Sequence, residues 1–399
     1  MDAVDFLIIG GGIIGLNLAI TAKQRHPDCK VMLIEKETDC GLHASGRNSG
    51  VLHAGFYYTP DSLKAGFTRQ GNHLLTEYCL DRGLRINQCG KLVVTRNEHE
   101  ETVLDELLQR GIANGVELYR LSKREAQEIE PRAKTWNSAI FSPTTASIDP
   151  REVMASTLDD ARNAGVVISA GTQYLRTIKD KIQTNHGYLS AAYVINAAGL
   201  YADNIARDFG FSKNYRILPF KGLYLYSDEP PGTLNTNIYP VPNLSNPFLG
   251  VHFTLTVAGK TKIGPTAIPA FWREHYSGLN NFKFAEMTEI VGREMGLFIR
   301  NDFGFRTLAL QESAKYFRGR LVKLASELSK DVRKSNYKKW GPPGIRAQLF
   351  DIKKRRLEMD FRFEGDHKSF HVLNAVSPAF TCAIPFSRYL FDKIDNLVS

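Results

Sequence analysis

Val4-Asp5-Phe6-Leu7-Ile8-Ile9 runs straight into Gly10-Gly11-Gly12-Ile13-Ile14-Gly15; a helical pattern follows, then a second apolar run, Val31-Met32-Leu33-Ile34, ending at Glu35. The order is strand, G-x-G-x-x-G turn, helix, and a second strand tipped by an acid, which is the opening unit of a dinucleotide-binding fold. Gly10 permits the tight turn, Gly12 lets backbone approach a pyrophosphate, and Gly15 lets the helix pack closely on the strand. The helix N-terminus offers N–H groups and a partial positive charge to phosphates. Glu35 is placed to accept from ribose hydroxyls and to repel a 2′-phosphate.

Outward from this stretch, strand and helix signals alternate without forming one simple βαβ array. Ser62 caps a helix reaching about Arg82, Gly90–Thr95 reads as a strand, and helical patterns follow at 98–114 and 122–130. Asp149-Pro150-Arg151-Glu152 is a helix start, with a capping residue followed by proline at the first helical position. Tyr193–Gly199 is an apolar strand ending in small residues, where something can approach the backbone closely. The stretch 216–266 is β-rich, 284–300 and 312–334 look helical, and a last helix covers about 379–397. The expected class is therefore α/β with an α+β second domain. A Rossmann-like nucleotide-binding domain, discontinuous in sequence, takes 1–80, 145–212 and 335–399. A β-rich substrate domain takes 81–144 and 213–334.

Composition narrows the function. The 399 residues carry a net charge of +9 with 43% hydrophobic content, an ordinary globular balance that leans towards anionic partners. No nucleic-acid module is present, so a small acidic substrate or an anionic membrane face are the better matches. No run approaches the length needed to span a bilayer. The chain opens on a strand with Asp2 and Asp5 where a signal peptide would be basic, and its five cysteines are scattered. The expected location is cytoplasmic, or peripheral on the inner face of a membrane. Three attractive signals fail: Gly259-Lys260-Thr261 lacks the first glycine of a phosphate loop, and neither metal-ligand spacing nor a G-x-S-x-G elbow occurs.

Six motifs then converge. They are Gly10–Gly15 with Glu35; His43-Ala44-Ser45-Gly46-Arg47-Asn48-Ser49-Gly50-Val51-Leu52-His53-Ala54-Gly55; Pro219-Phe220-Lys221-Gly222; Tyr239–Pro242 with Pro247–His252; Gly344-Ile345-Arg346; and Asn374–Ala379. In order, and across almost the whole chain, they resemble the FAD-dependent oxidoreductases of the D-amino-acid oxidase superfamily. Within it the chain looks like the L-2-hydroxyglutarate dehydrogenase/oxidase family. Arg47 departs from that pattern, which often carries His-Asn-Ser-Gly there, and this bears on the substrate more than on the cofactor.

The resemblance implies FAD, with Gly10, Gly12, Gly15 and Glu35 on its ADP half. It also implies Thr172 near the adenine, Gly199 near the pyrophosphate, and Ser45, Asn48, Ser49 and Gly50 along the ribityl chain and flavin, with Ser377 completing the set. Arg346, in a Gly-x-Arg turn, is the candidate for a substrate carboxylate because its fork pairs bidentately. Lys221 and Arg47 are candidates for a second anionic group, and Tyr57 and Tyr239 for closing the pocket. Oxidising a hydroxy acid needs a base near pH 7, a role for a neutral imidazole; His53 is preferred to His252.

The expected reaction is oxidation of an L-2-hydroxy acid, foremost L-2-hydroxyglutarate, with electrons passed to a quinone or oxygen. The alternatives are an amino-acid or glycerol-3-phosphate oxidoreductase on the same fold, or a non-catalytic flavin-binding protein at a membrane. The basic amphipathic stretch Ser313–Arg333 is the candidate membrane face.

Overall fold

The computed structural model describes residues 3–244 and 248–398, so Pro247 of the fourth motif lies outside the described residues. The chain divides into two compact units, one formed by residues 1–48, 150–219 and 345–399, the other by residues 49–149 and 220–344. The sequence reading assigned 1–80 to the first unit. The structure places 49–80 in the second, because the helix Leu63–Asp81 runs beside the short strands Val51–Leu52 and Ile86–Asn87.

The first unit is built on a parallel sheet. Val4–Ile9 lies between Val31–Glu35 and Gly187–Asn196; Val167–Ala170 joins beyond the former and Ser369–Asn374 beyond the latter. Both faces are covered, which is why Phe6-Leu7-Ile8-Ile9 is apolar throughout instead of alternating. Leu7 and Ile9 pack with Ile34, Val194 and Ile205. On the other face Phe6 meets Phe391 of the last helix at 5.6 Å. The helix Ile13–Arg25 packs against Pro150–Asn163 and Ala383–Val398. Lys181–Thr184 and Tyr174–Ile178 extend the sheet as an antiparallel ribbon.

The second unit is built on an eight-stranded sheet. Its order is Tyr337–Trp340, Leu225–Ser227, Thr261–Gly264, His252–Leu255, Asn237–Pro240, Lys91–Val94, Ser138–Ser142, Tyr119–Ser122. Every described pairing is antiparallel except that of Asn237–Pro240 with Lys91–Val94. Leu92, Ile238, Phe253 and Ile263 bury one face under Leu321, Val322, Ala325 and Leu328. Val93, Ile140 and Tyr239, on the other face, meet Phe56, Tyr57, Leu104 and Leu107.

The continuous helix expected over 312–334 is broken. Phe305–Ser313 is followed by a turn at Ala314–Tyr316, then Phe317 is extended (φ −76°, ψ 110°) and a new helix covers Arg318–Ser326. The break lets Leu321, Val322 and Ala325 turn into the sheet, so tertiary burial overrides helix propensity. This corrects the membrane reading of Ser313–Arg333, since the leucines that were to face lipid are core residues.

Candidate functional site

In the first unit the glycines are set by contact distances. Gly10 has φ +112°, and a Cβ there would lie 2.6 Å from the Ala197 carbonyl oxygen. A Cβ at Gly15 would lie 1.9 Å from the Gly10 carbonyl oxygen, so helix and turn touch backbone to backbone. Gly12, the residue before the helix, has no side chain to cap it. Ser45 reaches in from another segment instead, and its Oγ accepts from Ile13 N at 3.0 Å. A Cβ at Gly12 would meet only that Oγ at 3.2 Å, and one at Gly199 (φ +52°) would meet nothing within 4 Å. The helix N-terminus and the tip of Gly187–Asn196 are thus bounded by small residues with room beside them, which fits a pyrophosphate.

Glu35 is buried at 8% exposure, and its carboxylate accepts from Gly11 N at 2.7 Å and Glu37 N at 2.9 Å. These bonds lock the turn to the second strand and fix the carboxylate as an acceptor beside it. Thr172 donates its backbone N–H to Glu35 O at 2.8 Å, and its hydroxyl lies 2.8 Å from Ser169 Oγ. Asn48 donates to Ser45 O at 2.7 Å, closing the 3-10 turn Ala44–Gly46, and Arg47 Nε donates to Leu42 O at 2.7 Å. Arg346 does not sit in a turn. It is half-buried within the strand Gly344–Asp351, which holds its backbone straight. Ser377 is exposed ahead of the last helix.

In the second unit the polar candidates gather on one face of the large sheet. Tyr226 pairs with Lys262, Lys262 with Thr254, Asn237 with Lys91, and Lys91 with Ser142. The pairing of Ile238 with Phe253 sets Asn237 against Thr254 and Tyr239 against His252. Residues opposite each other project to the same face. The result is a row of Tyr226, Lys262, Thr254, Asn237, Lys91 and Ser142, with His252 and Tyr239 in the next row. Tyr239 and His252 stack with centroids 3.6 Å apart at 15°, and His252 Nδ1 lies 3.0 Å from the Gly250 carbonyl oxygen. That contact requires a proton on Nδ1 in the neutral ring and leaves Nε2 as the acceptor. His53 is 8% exposed and follows the strand Val51–Leu52; Tyr57 and Tyr239 are buried.

Sequence reasoning missed two members of the row. Lys262 donates to the Ser49 carbonyl at 2.9 Å and lies 4.7 Å from the centre of the Tyr224 ring. Lys91 is fully buried, with the rings of Tyr239, Tyr57 and Phe56 at 4.6, 5.1 and 5.3 Å. Burial brings the Lys262 ammonium down to about 8 and the Lys91 ammonium to about 7. Lys221, which the sequence reading did select, is 4% exposed and is also brought down by burial to about 8. The available signal was a lysine at an inward position of an apolar strand, in Lys91-Leu92-Val93-Val94 and in Thr261-Lys262-Ile263.

A sheet face with the buried lysines Lys91 and Lys262 beside His252 suits an anion that must lose a proton. The chain belongs to the FAD dependent oxidoreductase family, whose model matches residues 5–392. Among curated proteins it is 34% identical to an L-2-hydroxyglutarate dehydrogenase of Escherichia coli (strain UMN026), over 99% of this chain and 94% of that one. It is 35% identical to the mitochondrial L-2-hydroxyglutarate dehydrogenase of Homo sapiens, over 99% of this chain and 89% of that one. Among solved structures it resembles a dithionite-reduced L-α-glycerophosphate oxidase from Mycoplasma pneumoniae with FAD bound. The TM-score is 0.78 at 23% identity, covering 99% of this chain and 95% of that one, which is a likeness of fold.

Proposed function

We propose that the protein is an FAD-dependent dehydrogenase that oxidises L-2-hydroxyglutarate to 2-oxoglutarate. The family is that of FAD oxidoreductases, and full-length relatives at 34 and 35% identity carry this activity in their names. The observation within the molecule that carries the substrate class is the buried cationic sheet face of Lys91 and Lys262, suited to a small dianion.

Gly10, Gly12, Gly15, Glu35, Thr172, Gly199 and Ser377 would hold the cofactor's nucleotide half, and Ser45, Asn48, Ser49 and Gly50 its flavin half. When bound, FAD supplies the two-electron acceptor for the hydrogen on the substrate's C2. The chain's own work is to orient the substrate and take the hydroxyl proton. His53 is the proposed base, because only Val51 and Leu52 separate it from Gly50 and the segment proposed to meet the flavin. His252 has one ring face covered by Tyr239 and Nδ1 engaged with Gly250, which suits it to positioning. Arg346 is the proposed partner of the substrate's C1 carboxylate.

The experiment is anaerobic addition of L-2-hydroxyglutarate to the flavin-loaded protein. Bleaching of the flavin band by this compound, and not by glycerol 3-phosphate or amino acids, is the expected result. Bleaching by one of those compounds instead would overturn the substrate.

A second reading concerns the electron acceptor, for which a quinone at an anionic membrane is proposed. It is supported by the helix Phe284–Arg300, where Phe284, Met295 and Ile299 are exposed on one face, and by the exposed Leu310 and Phe317. No described helix is long and apolar enough to cross a membrane. Binding would therefore be interfacial, through apolar side chains flanked by Lys283, Arg300, Arg306 and Arg318. Flotation with anionic vesicles that fails in a Phe284→Ser/Ile299→Ser variant supports this; equal flotation of both proteins overturns it.

A further inference from the structure

Lys91 and Tyr57 share an aromatic pocket in which neither polar group has a partner. Lys91 Nζ and Tyr57 Oη are both buried with no hydrogen-bond partner among the described residues. The neighbours that could serve Lys91 are already committed. On the adjoining strand, Asn237 donates to Gly90 O at 2.8 Å and Cys89 Sγ at 3.2 Å, and its Oδ1 accepts from Leu255 N at 2.9 Å. On the other side Ser142 Oγ lies 3.0 Å from Thr145 Oγ1. The titratable groups facing the ammonium are Tyr57, from the segment packed over it, Tyr239 on the adjoining strand, and Cys89 two residues before Lys91. Burial raises the Cys89 thiol, so it does not balance the charge at neutral pH.

A buried ammonium without an acceptor costs several kcal/mol, and a phenol beside it adds to that cost. The ring contacts attract the cation but leave all three N–H donors unused. An anion with two acceptor oxygens would serve both groups, one oxygen for Nζ and one for Oη. Lys91 also lies on the same sheet face as His252, one strand beyond Tyr239.

We infer that Lys91 and Tyr57 form the subsite for the distal carboxylate of the substrate and so set the preference for a dicarboxylate over a monocarboxylate. The inference rests on the proposed 2-hydroxy-acid oxidation and adds a residue-level account of its specificity. Seating the carboxylate requires rotation of Tyr57, whose hydroxyl gives up no hydrogen bond in moving.

The test compares flavin reduction by L-2-hydroxyglutarate and by L-2-hydroxybutyrate, which lacks the distal carboxylate, in wild type, Lys91→Met and Tyr57→Phe. Lys91→Met is expected to raise KM for the dicarboxylate by about 100-fold, with kcat within a few-fold. It should leave kcat/KM for the monocarboxylate unchanged. Tyr57→Phe, isosteric and short of one hydroxyl, should shift the same ratio by about 10-fold. A ratio of dicarboxylate to monocarboxylate that stays at the wild-type value in both variants would overturn the inference, because a purely structural role lowers both activities together.

Titration with glutarate, read as a perturbation of the oxidised flavin spectrum, separates this inference from the assigned reaction. If wild type is not reduced by L-2-hydroxyglutarate, the reaction is wrong, and glutarate then decides the subsite alone. Binding weakened in Lys91→Met supports the subsite; equal binding to both proteins removes it.

Discussion

In the first unit almost every polar group at the candidate site is answered from within: Glu35 by Gly11 and Glu37, Ile13 by Ser45, Thr172 by Ser169. In the second, Lys91 and Tyr57 are buried with no answer. The first unit shapes a cradle by backbone approach, and its specificity lies in what glycine permits. The second holds charge in a dry face, and its specificity lies in what a ligand must bring. A cradle of the first kind is intolerant of added atoms. A face of the second kind is intolerant of losing charge in function, yet gains stability when that charge is removed.

The sharpest way to break this comparison is at Gly15. Gly15→Val forces atoms onto the Gly10 carbonyl, 1.9 Å from an added Cβ. It is expected to abolish flavin retention and to destabilise the first unit by more than about 3 kcal/mol. Flavin content after gel filtration and a thermal melt check this; a yellow, fully stable variant would mean that the turn is not the cradle.

His53→Gln should lower the rate of flavin reduction by about 10²- to 10⁴-fold. His252→Gln should lower it by about 10-fold, as a positioning change does when it disturbs geometry without removing the base. Stopped-flow reduction across pH separates the two, and the reverse order of effects would exchange their roles.

Lys91→Met should stabilise the ligand-free protein by about 1–4 kcal/mol near neutral pH. The sign in pH follows from linkage. The folded-state pKa, about 7, is below the ordinary 10.5, so the unfolded chain binds more protons between these values. The penalty from Lys91 is full below pH 7 and is relieved as pH rises towards 10.5. Denaturant melts at pH 6 and pH 9 should show the gain from Lys91→Met shrinking at the higher pH. A gain that does not shrink would mean that burial does not lower the lysine's pKa and that it keeps its proton in both states.

Glu294 gives the same comparison with opposite charge. Burial raises its carboxyl to about 8 from 4.5, so stability is lost as pH climbs from 4.5 to 8. Glu294→Gln should flatten that slope.

The smallest effect is expected at Gly66, in the helix Leu63–Asp81, where an added Cβ would meet nothing within 4 Å. Gly66→Ala should add about 0.5–1 kcal/mol by helix propensity alone, with no change in flavin content.

Much of the fold was legible because local rules agree with it. Ser122 and Glu125 form a capping box that the structure keeps, and Ser62 Oγ accepts from Ala65 N. Phe284–Arg300 follows the helical period from end to end. Legibility failed where a tertiary demand overrode the local one. Residues 312–334 carry a continuous helical pattern, yet Phe317 is extended so that Leu321 and Ala325 reach the sheet. Arg346 was read as a turn residue from its flanking glycine, but pairing draws it into a strand.

The amino-acid order by itself determined the opening strand, turn, helix and second strand, the family and with it the cofactor, since each rests on short-range spacing: glycines a few residues apart and an acid at a strand tip. What only the tertiary structure decided was which lysines are buried together. Lys91 and Lys262 are 171 residues apart in the chain and share a row because four strands from distant segments pair in one register. That register is fixed by burying Leu92, Ile238, Phe253 and Ile263 on the opposite face, and a slip of one residue would turn every one of these side chains over.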